Sequence, residues 1–198
     1  GQTLADRLGG TFLYLPLSYT PQVIRRNLQT LCTALDVTYD PAEDEARAQQ
    51  ALRHAKALLG DTEIAIDYTA TPAPMSLARC LIEHGLRVSR IYADSIAAGD
   101  LDDFRWLQEH APDLSLYATV EVKLRVLPRR TERPMLAIGQ KAAYFTGTRH
   151  FVNIVEGGGM YGFDGICRLC ARIEEAFLTA RDPRNYIQQK GLGCESCL

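Results

Sequence analysis

From Glu63 onward, two apolar periods alternate along the chain. EIAIDY (63–68) is a short run rich in β-branched and aromatic residues, the pattern of a strand. PMSLARCLIEHG (74–85) spaces its apolar residues for a helix and stops at Gly85. LRVSRIYA (86–93) predicts the next strand. Asp100 then opens a helix through FRWLQEHA, which ends before Pro112. LSLYATV (114–120) and PMLAIG (134–139) predict two further strands. A last helix runs from about Gly162 to Ala180, with Phe163, Ile166, Cys170, Ile173 and Phe177 on one stripe. Strands alternating with helices predict an α/β fold, a doubly wound parallel sheet of α/β/α layering with right-handed crossovers.

The first 60 residues follow a different plan. TFLYLP (11–16) predicts a strand. Thr20-Pro21 supplies an N-cap and a proline at the first helical position, and Val23, Ile24, Leu28, Leu31 and Leu35 follow at helical spacing. Asp40-Pro41-Ala42-Glu43 is built like a capping box, followed by an Ala48, Leu52, Ala55 and Leu59 stripe that Gly60 ends. One strand cannot make a sheet alone. Residues 1–60 therefore read as the end of a preceding domain plus a connecting helix, 61–182 as a C-terminal α/β domain, and 183–198 as a tail.

Charge narrows the partners. The formal net charge is -2, and no long basic run exists for duplex nucleic acid. The densest cationic stretch, LPRRTERP, reads as a solvated loop or a partner contact. No apolar run approaches the ~18 residues of a membrane span. The six cysteines are too sparse for a secreted disulfide scaffold, which favours a reducing, cytoplasmic setting. Four of them form two C-x-x-C pairs, Cys167/Cys170 and Cys194/Cys197, which keeps metal chemistry open.

Gly157, Gly159 and Gly162 spell G-x-G-x-x-G directly before the last helix. A dinucleotide fingerprint needs a second strand after that helix and an acid at its end. Neither is present, so a phosphate cradle is disfavoured. Two readings remain: a turn that starts the helix, or a wall where a bulky ligand meets bare backbone. Ordering three consecutive glycines costs about 1–2 kcal/mol each. In open α/β sheets such a loop lies at the carboxyl ends of the strands, where ligands bind.

GMYGFDGICRLCARIEEAF (159–177) resembles the C-terminal glycine loop and helix of the nitrogenase component 1 family. LADRLGGTFLYLPLSYTPQVIRRNLQTLCTAL, EIAIDY with RVSRIYA, and APDLSLYATV resemble other segments of that family in the same order. The resemblance covers roughly residues 4–180. It implies three Rossmann-like domains around a metal cluster, of which this chain holds the end of the second and all of the third. It further implies an oxidoreductase subunit that pairs with a homologous component 1 subunit. An ATP-dependent iron–sulfur reductase partner would supply electrons for reducing a substrate at an iron–sulfur or iron–molybdenum type cluster. Gly157, Gly158, Gly159, Tyr161 and Gly162 would border that group. His150 is the histidine in the neighbourhood of the family's histidine ligand, although it stands farther from GFDG than the pattern expects. The family's cysteine ligand would precede residue 4. No catalytic residue is assigned, and the chain alone is expected to be inactive.

Two alternatives follow from the same residues. One is a non-catalytic scaffold holding a cluster or tetrapyrrole for transfer. The other is a metal-binding module built on Cys194 and Cys197, whose short glycine-flanked loop suits a tetrahedral metal or an iron–sulfur half-site. Cys170 belongs to the apolar stripe and reads as core, with Cys167 beside it. His54, His84 and His110 fall on predicted helices as solvated positions. Self-association of the isolated chain through exposed domain surface is a further expectation.

Overall fold

The computed structural model describes residues 1–126, 133–155 and 157–182. Five parallel strands form one sheet: β1 (Glu63–Asp67), β2 (Arg87–Ala93), β3 (Ser115–Ala118), β4 (Met135–Ile138) and β5 (Phe151–Val152), in the order β3-β2-β1-β4-β5. The helices are α1 (Gln2–Leu8), α2 (Pro21–Leu35), α3 (Ala42–Leu59), α4 (Pro74–Glu83), α5 (Leu101–His110), α6 (Gln140–Thr146) and α7 (Gly162–Leu178). This is a Rossmann-like α/β/α fold. Among the described residues, no helix is long and apolar enough to cross a membrane.

Two apolar layers sandwich the sheet. On one face, α3, α4, α5 and α7 pack on Ile64, Ile66, Ile91, Leu136, Ile138 and Val152. On the other, α6 places Ala142 and Ala143 against Ala65, Tyr92, Ala137 and Phe151. β4 is buried at all four positions, as expected of a strand covered on both faces. α3 sets its Ala48, Leu52, Ala55 and Leu59 stripe into the core and packs mainly along α7. The stripe of α7 is buried at Phe163, Ile166, Cys170 and Ile173, with Phe177 partly buried.

The sequence reading needs three corrections. TFLYLP is not a strand, because nothing among the described residues lies beside it to complete a ladder. The capping box at residues 40–43 does not close: Pro41 holds the N-cap position, and the Asp40 carboxylate accepts from Ala42 N at 3.0 Å. Asp100 stands at the start of α5, yet its carboxylate accepts from the Met75 and Ser76 amides, so it caps α4 instead. α6 and β5, which the sequence reading left out, fill the stretch between Gly139 and Asn153.

Candidate functional site

The order β3-β2-β1-β4-β5 creates a switch point between β1 and β4. The chain leaves β1 toward α4 on one face and β4 toward α6 on the other, so their carboxyl ends part. Ligands of open α/β sheets bind in such a crevice.

Asp67, the last residue of β1, forms the floor of the crevice and is 0% exposed. Its Oδ1 accepts from Thr69 N at 2.8 Å, from the Thr69 hydroxyl and from Ala70 N at 3.1 Å. Its Oδ2 accepts from Ala142 N at 2.7 Å, in the first turn of α6. Burial pushes this carboxyl upward, opposed by those hydrogen bonds. Gly139, at φ 108°, gives the carboxylate its room, since a Cβ there would overlap all three carboxylate atoms. The protein's own carboxylate thus occupies the place where a ligand phosphate would meet α6.

The glycine loop folds over the neighbouring rim. Gly157 N donates to Ala70 O at 2.6 Å, tying the loop to the turn after β1. The glycines there serve different ends. A Cβ on Gly157 would strike the Tyr161 hydroxyl, and one on Gly158 would crowd Ile154 at 3.3 Å. In the GFDG segment, a Cβ on Gly165 would approach the Met160 carbonyl oxygen to 2.8 Å. Gly159 and Gly162 differ. They share the positive φ of Gly157 and Gly158, at 75° and 68°, but no described residue other than their chain neighbours stands within 4 Å of a Cβ there, so bare backbone faces open space. Arg168 donates to Gly159 O at 2.9 Å and pairs with Asp164 at 3.0 Å, bracing the loop from α7.

Buried hydroxyls support the loop from beneath. Tyr19 donates to Thr71 Oγ1 at 3.0 Å, and burial pushes its phenol up to about 12. Ser18 and Ser76 share a hydrogen bond of 2.9 Å, as do Ser18 and Thr20. The hydroxyl of Thr20 is thereby drawn away from α2, whose N-cap position Thr20 holds. LSYTP thus fastens the segment before α2 to the rim. A run of hydroxyl residues with no period carries no sequence signal for this.

The face opposite the glycine loop holds a second cluster. Lys141 donates to the Tyr68 hydroxyl, and its Nζ lies 4.4 Å from the Tyr68 ring centroid. Tyr68 in turn bonds the exposed Asp94 carboxylate. Gln140 Nε2 donates to Asn153 Oδ1 at 2.6 Å, joining the ends of β4 and β5.

His150 lies elsewhere. It precedes β5, at the amino edge of the sheet, and its Nδ1 donates to Ala176 O at 3.0 Å. Ala176 sits in the last turn of α7, whereas the glycine loop opens the first, about 20 Å away at ~1.5 Å per residue. The structure therefore does not bring His150 to the loop. Cys170 and Cys80 are buried and their thiols are pushed up to about 12 by burial. Cys167 is half-buried toward Arg47 and Asp44 of α3. Cys194 and Cys197 lie outside the described residues. Among the described residues, no three His, Cys, Asp or Glu side chains group to hold a metal ion. What those residues offer a bulky prosthetic group is a wall of backbone at Gly159 and Gly162 beside Tyr161, without a ligand set.

No protein-family model and no curated protein matches the chain. A solved structure described as nitrogenase Cp1 at pH 6.5 is similar in fold, with a TM-score of 0.60 and 16% sequence identity. The match covers 89% of this chain and 42% of that one. The chain is thus similar to less than half of a nitrogenase chain. At this identity the relationship is one of fold.

Proposed function

We propose that this chain is the C-terminal part of a nitrogenase component 1-like oxidoreductase subunit, and that Gly157–Gly162 borders the prosthetic group at which a substrate is reduced. The observation that carries the reading is the free space beside Gly159 and Gly162 at the carboxyl edge of the sheet. A Cβ at Gly157 or Gly158 would meet Tyr161 or Ile154, whereas Gly159 and Gly162 are held to glycine by their positive φ alone, which leaves their backbone open to a ligand. The likeness in fold to a nitrogenase chain supports the same placement.

In this reading residues 1–60 end a preceding Rossmann-like domain and lead into the domain at 61–182, with 183–198 as a tail. The prosthetic group, an iron–sulfur or iron–molybdenum type cluster, stores and passes electrons when bound. With such a group bound, the glycine loop of this chain would exclude water along one side of it. Its ligands come from outside the described residues of this chain, with Cys194 and Cys197 as candidates, or from a homologous partner subunit. Electrons arrive from an ATP-dependent iron–sulfur reductase. A scaffold that holds a cluster or tetrapyrrole for transfer, without turnover, is the second reading.

The test is chemical analysis of the full-length protein purified without oxygen. Iron with acid-labile sulfide is expected, and electron uptake from the reductase separates oxidoreductase from scaffold. A colourless protein free of iron and tetrapyrrole overturns both readings.

A further inference from the structure

α4 starts without a cap of its own, since Ala73 holds its N-cap position and Pro74 follows. The amides of Met75 and Ser76 donate instead to the carboxylate of Asp100, which ends the short helical turn Ala98–Asp100 ahead of α5. The first amides of a helix have no partner inside it, so a turn that loses its cap frays. This turn also carries LSYTP. The Ser76 hydroxyl, fully buried, accepts from Tyr19 N at 3.0 Å and shares a 2.9 Å hydrogen bond with Ser18. One carboxylate thus joins the start of α5, the first turn of α4 and the segment before α2.

The surroundings of that carboxylate are poor for a charge. Asp100 is 5% exposed and has no cation partner among the described residues. Asp103, one turn along α5, is 8% exposed. The cation of Asp103 is Arg79 of α4, which Glu83 shares. Asp102 and Arg105 of α5 pair with each other on its exposed side. LSYTP brings only the hydroxyls of Ser18, Tyr19 and Thr20 to this junction. Ionising Asp100 in place strips a charge of water beside a like charge. The docked state therefore prefers the neutral acid, and the undocked state prefers the carboxylate.

We propose that Asp100 is a pH-sensitive latch: neutral, it holds the first turn of α4 and LSYTP in place, and on ionising it lets the start of α5 lift away. The latch belongs to the fold and does not depend on the reductive reading. Burial, and then the Asp103 charge, raise the docked carboxyl from its usual 3.8 to about 6. Its stabilising effect is thus fully present below 3.8 and is lost as pH rises through about 6. Between about pH 5 and about pH 8 the undocked fraction should rise about tenfold. The proton released passes to water.

Amide hydrogen exchange of this chain, read by NMR and corrected for the chemical exchange rate at each pH, tests the latch. Protection of the Met75, Ser76 and Tyr19 amides should fall about tenfold from about pH 5 to about pH 8. The reference is the Ala137 amide of β4, bonded to His150 O at 2.9 Å inside the sheet. At about pH 8 the three amides should be less protected than Ala137, because the latch opens without unfolding the sheet. Asp100→Asn keeps an acceptor and cannot ionise, so it should flatten the response at all three. Protection that does not change with pH overturns the latch, as does a loss that persists in Asp100→Asn. Protection equal to that of Ala137 at about pH 8 also overturns it, since those amides would then open only with the whole fold. A loss at Met75 and Ser76 that leaves Tyr19 unmoved overturns the link to LSYTP.

Discussion

Gly139 and Asp67 pose the sharpest test of how the sheet edge is built. Alanine at 139 would have to adopt φ near 108°, which costs about 1–2 kcal/mol for a residue with a Cβ. Its Cβ would also overlap the Asp67 carboxylate, which must then withdraw from Ala142 N. Losing a buried hydrogen bond to a charged group adds about 1.5–3 kcal/mol. Gly139→Ala should therefore destabilise by about 3–5 kcal/mol, a large share of the ~5–15 kcal/mol that holds a typical domain. Asp67→Ala alone should cost a similar amount, because it strands the amides of Thr69, Ala70 and Ala142. Once the carboxylate has been removed, the new methyl at 139 has room. The double variant should then cost at least about 1 kcal/mol less than the two singles together. Urea unfolding followed by the fluorescence of Trp106 and by circular dichroism gives all four stabilities. Additivity within ~0.5 kcal/mol, or a Gly139→Ala cost below ~1 kcal/mol, would refute the packing argument.

Three further outcomes follow. Gly165→Ala should destabilise by more than ~2 kcal/mol in the same assay, since its Cβ meets Met160 backbone that cannot swing aside. For Asp100, burial and then the Asp103 charge raise the carboxyl to about 6, above its usual 3.8. The group's contribution is therefore present at low pH and lost as pH rises through about 6. Asp100→Asn keeps an acceptor for the α4 amides, so it should flatten that slope and gain about 1–2 kcal/mol at about pH 8, read from Tm against pH. Iodoacetamide labelling of the native chain should reach Cys32 and Cys167 well before Cys80 and Cys170, whose thiols are buried and raised to about 12. Equal labelling of all four would contradict the packing of α4 and α7.

Periodicity revealed most of the architecture, because each long element carries its own signal. The α3 stripe of Ala48, Leu52, Ala55 and Leu59 and the α7 stripe from Phe163 to Phe177 are buried where their spacing put them. α6 escaped notice because seven residues between Gly139 and Gly147 give too few turns for a period, and β5 is only Phe151–Val152. TFLYLP showed the opposite failure, since β-propensity reports fitness for a sheet without supplying the neighbour. The glycine loop was legible as a loop before a helix. Which glycines pack inward and which face space depended on Tyr161, Ile154 and Met160, and only the fold shows those contacts. Tyr68, Asp94 and Lys141 are far apart in the chain, and parallel strand order makes them neighbours. His150 stood close to the loop in sequence, but β5 carries the chain across the sheet between them.

The central claim is that a prosthetic group lies against Gly159 and Gly162. Gly159→Leu tests it most directly, because no described residue other than its chain neighbours stands within 4 Å of a Cβ there. The positive φ of 75° costs such a variant about 1–2 kcal/mol, so the fold survives. The measurement is iron and acid-labile sulfide per chain in the full-length protein and in Gly159→Leu, both purified without oxygen. The account predicts a loaded wild type and a folded variant that has lost most of its iron. A variant loaded as fully as the wild type would contradict it.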